Sequence, residues 1–399
     1  MALRAGRDGG MMQYSPLTGR EVVLGVCGSI AAVETVRLAR ALRRRGASVQ
    51  AVMSRAACDI VSPAALTYAT GRPAITAISG MVEHVRHCGD GGSADLLLIA
   101  PATANTLCKI AGGIDDTPVT TFATTAIGRG MPIVIAPAMH ESMYRHPGVR
   151  RCIRTLEDWG VVIAGPRLEE GRAKIADMDV IVLLCERELS GKPLSGRHVL
   201  VTSGPCQERV DDVRVLTTRS SGKMGRALAL QAFRLGARVT VVHSAWVPLV
   251  DNIRVTDAEG MRREVRRVCS TDPPDLFVSA AAVSDFAPDP VPGKIPSGKA
   301  VTIALRPLPK ILGEVAREFG VPTVAFKLGS DAAEQGKGML EGNVGLVVAN
   351  EPGVMGQDAA AVTILSRDGS SRRLEGTKDN IAAEILSAAI DTFSLSRPA

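Results

Sequence analysis

Short apolar runs alternate with stretches whose apolar positions recur at helical spacing, and this alternation organises most of the chain. Residues 22–26, 49–53, 95–100 and 133–136 read as buried strands. Residues 31–45 place Val33, Val36, Leu38, Ala39 and Leu42 on one face, with Gly46 as a C-terminal cap, and read as the first helix. The third and fourth runs exit into polar loops, Pro101 to Thr106 and Pro137 to His140. Strands alternating with helices predict an open parallel sheet, whose ligands bind beyond the carboxyl ends of the strands.

The pattern stops and restarts between Glu188 and Pro205, where a Gly/Ser/Pro connector leads into a new apolar run. Both halves open alike, with a basic residue, a strand and a Gly/Ser turn: Cys27-Gly28-Ser29 in the first, Ser203-Gly204-Pro205 in the second. The expected division is an extension at 1–20, a domain at 21–189, a linker at 190–196 and a second domain at 197–399. Further strands are expected at 199–202, 238–243, 276–280, 322–326 and 346–349. Ser220 to Gly225 opens a helix carrying Ala227, Leu228, Leu230, Ala232, Phe233 and Leu235, while residues 210–219 form a polar excursion suited to a lid or an interface. The expected class is therefore α/β, with two doubly wound, mainly parallel sheets.

Composition narrows this. Hydrophobic residues make up 46% and aromatics only 3%, which favours helices layered on parallel strands over a base-stacking surface. The net charge of +6 is spread over arginines in predicted helices, so neither a nucleic acid nor a membrane partner is expected. The eight cysteines form no CxxC pair, and residues 1–20 hold no apolar signal segment, pointing to reduced thiols in a cytoplasmic protein.

The first turn, Gly25 to Ile30, lacks GxGxxG, and Ser54 stands after the second strand where a ribose-binding carboxylate would be expected, so FMN fits better than NAD. Five motifs then occur in order: Gly28-Ser29-Ile30-Ala31-Ala32, Ser54, residues 94–106, residues 113–121 and Ala136 to Met139. In these the half resembles the flavin-containing cysteine decarboxylases, and among them phosphopantothenoylcysteine decarboxylase. The resemblance implies FMN contacts at Gly28, Ser29, Ile30, Ser54, Ala102, Thr103, Asn105 and Met139. It also implies a flavodoxin-like sheet and a catalytic histidine at His84 in Glu-His-Val-Arg, although counting without a gap selects His87. His140 stands where the family has a carboxylate-holding Asn. The family's lid cysteine is absent, leaving Lys174, Glu170 or a water as proton donor. A zinc site among His84, His87, His140, His146 and Cys88 is the competing reading, and helix capping is the bland reading of the loop hydroxyls.

The second half resembles phosphopantothenate-cysteine ligase through Thr202 to Pro205, Arg219 to Gly225, Ala281 to Phe286, Gly293-Lys294-Ile295 and Val348-Ala349-Asn350. The resemblance implies a nucleotide-binding Rossmann-like domain using CTP and Mg2+, with an acyl-cytidylate that the cysteine amine attacks. Lys294 would be catalytic, with nucleotide contacts at Ser279, Ala280, Ala281, Asp285, Leu308, Pro309, Lys310, Ile311 and Phe326. Ser220, Ser221, Gly222 and Lys223 would hold substrate. Thr218 replaces a family Asn, and Gly338 and Gly342 replace two lysines, with Lys337 close by. Together the halves imply a homo-oligomeric enzyme of coenzyme A biosynthesis that takes 4'-phosphopantothenate, cysteine and CTP. The rivals are a regulatory or RNA-associated protein with degenerate sites, or a protein with only the ligase half active.

Overall fold

The computed structural model describes residues 15–165, 167–169, 172–350 and 359–396, with backbone alone at 167–169 and 172–174. The chain divides into two compact units, one of Ser15–Gly191 and the other beginning at Lys192.

The upstream unit starts with β1 (Glu21–Val26), a 3-10 turn (Ile30–Glu34), α1 (Thr35–Arg44), β2 (Ser48–Met53), α2 (Arg55–Cys58), α3 (Pro63–Thr70) and α4 (Glu83–Cys88). It continues through β3 (Leu96–Ala102), α5 (Ala104–Ala111), α6 (Pro118–Arg129), β4 (Ile133–Pro137), β5 (Met139–His140), α7 (Glu141–Tyr144), α8 (Pro147–Asp158) and β6 (Val162–Ile163). The hairpin of β7 (Arg167–Glu169) and β8 (Arg172–Lys174) precedes α9 (Met178–Leu189). Strand order β2-β1-β3-β4-β6 is parallel throughout, while β5-β8-β7 is a separate antiparallel ribbon. Leu96, Leu97, Leu98 and Ile99 are all fully buried, as strands covered by helices on both faces must be. The first helix starts later than its periodicity suggests. Of the 3-10 turn only Ala32 is buried, and the core face of α1 begins at Thr35.

The downstream unit opens with β9 (His198–Ser203), β10 (Gln207–Arg209), β11 (Val215–Thr217), α10 (Lys223–Arg234), β12 (Arg238–His243), β13 (Asp251–Arg254) and α11 (Ala258–Thr271). Next are β14 (Leu276–Ser279), β15 (Phe286–Pro288), β16 (Leu305–Pro307), α12 (Ile311–Glu318), β17 (Thr323–Leu328), α13 (Ala332–Lys337) and β18 (Val344–Asn350). It closes with β19 (Ala359–Ser366), β20 (Ser371–Thr377) and α14 (Lys378–Thr392). The main sheet runs β13-β12-β9-β14-β17-β18-β19-β20 and is parallel as far as β18, after which β19 runs antiparallel to both β18 and β20. The polar excursion is in fact the hairpin β10–β11, and β15 pairs with β16 beside it.

The echo between the two openings is structural. Arg20 Nη1 donates to Asp95 Oδ1 at 2.9 Å while the Glu21 amide donates to Asp95 Oδ2 at 2.7 Å. Arg197 Nη1 and the His198 amide divide the Asp275 carboxylate in the same way, at 2.9 and 2.8 Å. In each unit an Asp ahead of the neighbouring central strand satisfies the first amide of the opening strand and pairs with the preceding arginine. Among the described residues no helix is long and apolar enough to cross a membrane.

Candidate functional site

In the upstream unit the carboxyl ends of β1, β2, β3 and β4 open into one set of interlaced loops. The Ser54 amide donates to Val26 O at 3.0 Å, Cys27 N to Pro101 O at 3.2 Å and Ala138 N to Ala102 O at 2.9 Å. Gly28 is required by this closeness, since a Cβ there would sit 2.5 Å from Ala56 Cβ. The turn that holds Gly28 and Ser29 is thereby pressed against the Ser54 loop. Ser54 Oγ accepts the Ala57 amide at 3.3 Å, capping α2, and keeps its own hydrogen to donate. Thr103 caps α5 by accepting the Thr106 amide at 3.2 Å. Asn105 is exposed in the first turn of α5, Ile30 is exposed, and Ala102 is the buried last residue of β3, one residue short of the loop. Burial pushes the Cys27 thiol up to about 11.

Three of the unit's four histidines have Nδ1 engaged. His140 and His146 cap α7 and α8, accepting the Ser142 amide at 3.2 Å and the Gly148 amide at 3.1 Å. His87 Nδ1 lies 2.9 Å from Glu21 Oε1 and 3.1 Å from Ser93 Oγ. Of these four, only His84 has a buried Nδ1 without a partner among the described residues. Phe122, fully buried on α6, separates the two rings of α4: its ring centroid is 6.5 Å from His84, edge on, and 6.2 Å from His87, stacked. Helix α4 begins from a strained residue, Val82 at φ 44°, a backbone conformation costing about 1–3 kcal/mol for a β-branched side chain. Such strain two residues before His84 fits a functional turn.

His140 is exposed on β5, opposite Arg172 of β8, and the hairpin β7–β8 therefore crosses the Pro-Ala-Met-His exit as a lid would. With Nδ1 accepting from Ser142, its donor is Nε2–H. Glu170 and the side chain of Lys174 lie outside the described residues. Among the described residues no group of three or more His, Cys, Asp or Glu side chains could hold a metal ion.

In the downstream unit, Ser220, Ser221, Gly222 and Lys223 line one cleft together with Ala280, Ala281 and Phe326. Close packing of glycine makes the cleft. Gly222 caps α10 at φ 71°, and a Cβ on Gly225 would come within 2.4 Å of Ser203 Oγ, so α10 starts directly against the exit of β9. Ser203 Oγ donates to Gly222 O at 3.1 Å, and the Ala282 amide donates to Gly204 O at 3.0 Å. Thr218 Oγ1 and Asn350 Oδ1 are buried without partners among the described residues, and Asn350 lines the cleft.

The other assigned residues do not line it. Lys310 pairs with Asp285, both exposed, and the Leu308 amide donates to Asp285 O at 2.9 Å. Leu308 and Ile311 face the core at 9% and 7% exposure, leaving only their main chain for a ligand. Lys294 is exposed on a loop held at both neighbours: the Gly293 amide donates to Asp212 Oδ2 at 2.9 Å and the Ile295 amide to Asp211 Oδ2 at 3.0 Å. Burial would raise the Asp211 carboxyl, but amide bonds from Val213, Ile295 and Arg214 and the Arg214 charge bring it to about 2. Lys337 pairs with Glu334 at 2.8 Å, and neither it nor Gly338 or Gly342 lines the cleft. Lys327 and Lys378 do line it. Sequence reasoning missed Lys378, whose only signal is Thr377, the N-cap of α14.

Residues 12–190 match the Flavoprotein family and residues 194–392 the DNA/pantothenate metabolism flavoprotein C-terminal domain. The coenzyme A biosynthesis bifunctional protein CoaBC of Thermococcus kodakarensis is 43% identical, over 92% of this chain and 94% of its own. That of Bacillus subtilis is 35% identical, over 93% and 96%. A solved C-terminal domain of a protein with that name is 30% identical over 49% of this chain and 95% of its own, with a TM-score of 0.41. Matched almost end to end in both halves, the chain belongs to the family of bifunctional coenzyme A biosynthesis enzymes, in which a flavoprotein decarboxylase domain precedes a ligase domain.

Proposed function

We propose that the ligase half joins 4'-phosphopantothenate to cysteine at the expense of CTP and Mg2+, and that the decarboxylase half, with FMN, converts the product to 4'-phosphopantetheine. The observation that carries the ligase assignment is the single cleft shared by Ser220 to Lys223, Ala280, Ala281 and Phe326. Ser220 to Lys223 hold the acid substrate at the amino end of α10, where backbone amides and the helix dipole favour an anion. The Ala280–Ala281 main chain and Phe326 form the wall for base and ribose, with Ser279, Asp285 and Leu308 to Ile311 beside it. Lys294, on its anchored loop, neutralises charge on the phosphate as pyrophosphate leaves and an acyl-cytidylate forms. Mg2+ arrives with the phosphates, its usual mode of binding.

The upstream loops fit a flavin monophosphate: the glycine cradle at Gly28 and the free Ser54 hydrogen suit a phosphate, while Thr103, Asn105 and Met139 border the ring. FMN supplies a reversible two-electron acceptor, which makes loss of CO2 from a cysteine carboxylate accessible. His84 takes and returns the substrate proton, and its orphaned Nδ1 supports that role. His140 donates through Nε2–H to the carboxylate beneath the β7–β8 lid.

The enzyme works in the cytoplasm, consistent with its eight free thiols. It assembles as a homo-oligomer, a reading supported by Val213, Val215, Phe286 and Leu305, exposed on the adjoining β10–β11 and β15–β16 hairpins. Purified protein is expected to be yellow and to make 4'-phosphopantetheine from 4'-phosphopantothenate, cysteine, CTP and Mg2+, with chelation stopping pyrophosphate release. Protein that takes up no FMN would overturn the first half of this reading, and activity with ATP but not CTP the second.

A further inference from the structure

We infer that Lys327 and Lys378 hold the triphosphate of the nucleotide in the ligase half; this rests on the ligase reading above. Both are half-buried lining residues of the cleft. Among the described residues its wall contains three lysines, Lys223, Lys327 and Lys378, and no aspartate or glutamate. These cations come from three separate elements: the first turn of α10, the carboxyl end of β17 and the first turn of α14.

Their convergence has a packing cause. Helices α10 and α14 lie against each other over the β9 side of the sheet, with Leu228, Ala232, Ile385 and Ala389 in one buried cluster, so their amino ends reach the same cleft. The two helices run for 12 and 15 residues, and each directs its positive pole there. On the same wall, Asn350 presents a buried Oδ1 without a partner among the described residues. That is a second mark of a missing ligand, since buried polar atoms are otherwise hydrogen-bonded.

With Lys223 and the α10 pole facing the acid substrate, Lys327, Lys378 and the α14 pole are left for a second anion. Two lysines with a helix pole suit a polyanion better than a single phosphate. Of the substrates, the nucleotide carries three phosphates and 4'-phosphopantothenate one. Phe326, adjacent to Lys327 on β17, provides an apolar wall for the rest of the nucleotide. Lys327 and Lys378 are thus substrate-positioning cations that neutralise the phosphate chain, and the bond-making geometry is left to Lys294.

The test is pyrophosphate release by the full-length chain carrying Lys327→Gln, Lys378→Gln or Lys378→Arg. Each Gln variant should raise the KM for CTP about tenfold or more, the loss expected for one charge-assisted contact. The KM for 4'-phosphopantothenate and the rate of CO2 release should stay as in the native protein, and Lys378→Arg should recover most of the CTP affinity. A rise confined to the 4'-phosphopantothenate KM would overturn the triphosphate assignment, and unchanged KM values in Lys327→Gln would overturn the anion role. Calorimetry with inorganic tripolyphosphate gives a readout independent of turnover: the native chain should bind it and Lys327→Gln should bind it about tenfold more weakly. Native protein that binds tripolyphosphate but releases no pyrophosphate from CTP would sink the ligase reading while sparing the cradle.

Discussion

Glu21 Oε1 lies 2.9 Å from His87 Nδ1, at the amino end of β1. That edge of the sheet is opposite the loops that hold Gly28, Ser54 and Asn105. The Glu21 carboxylate also accepts from Arg72 at 2.9 Å and from Ser93 at 2.8 Å, and these bonds outweigh burial to hold its pKa below the usual value. His87 is therefore committed to a structural cluster. His84 stands three residues earlier on α4, about 4.5 Å along the helix axis, and takes no part in that cluster.

His84→Asn is expected to cut CO2 release by about 10²–10⁴-fold while pyrophosphate release continues. His87→Gln should leave CO2 release within a few-fold of native and cost about 1 kcal/mol of stability, read as a lower unfolding midpoint. The reverse pattern would show that the catalytic histidine had been misplaced.

Gly28→Ala should give a protein that folds but loses flavin. The new methyl, 2.5 Å from Ala56 Cβ, forces the first turn away from the Ser54 loop. Absorbance in the flavin band after purification with added FMN is the measurement, and full occupancy would refute the cradle.

Asp211 should matter to the ligase only through the Lys294 loop. Asp211→Asn removes the charge that gathers the Val213, Arg214 and Ile295 amides. Pyrophosphate release should fall roughly tenfold to a hundredfold through misplacement of Lys294, with faster hydrogen exchange at Ile295, whose amide Asp211 accepts. Lys294→Gln should stop release without changing exchange. The pH dependence follows from the depressed carboxyl. Its stabilisation is complete above the ordinary value of 3.8 and is lost only as pH falls through about 2. No acid limb in ligase activity should therefore come from Asp211 between about pH 5 and 8.

A chain cut between Gly191 and Lys192 should yield two folded pieces, because each unit has its own buried cluster around its own sheet. Separate expression with CO2 and pyrophosphate assays checks this. Loss of both activities on separation would show that the units depend on each other.

Much of the fold was legible locally. The strand runs at 22–26, 49–53 and 238–243 were found within a residue, because a strand buried on both faces is an uninterrupted apolar string. The last antiparallel pair was missed, although Ala360, Val362 and Ile364 alternate toward the core and Asp368-Gly369 marks the turn. Its alternation is masked by alanines on the other face. The start of α1 was placed too early because Ile30 and Val33, apolar but exposed, mimic a buried stripe.

The sequence by itself determined the two α/β halves, the seam between them and the loop motifs that follow each strand, since all of these are set by neighbours along the chain. Tertiary structure alone decided which histidine is spent on Glu21, which assigned residues share a cleft and which stand apart on the Asp211 and Asp285 contacts. It also decided that Lys378 reaches the wall that holds Lys223 and Lys327. A site charge is a sum over elements far apart in the chain, and only the packing of α10, β17 and α14 brings those terms together.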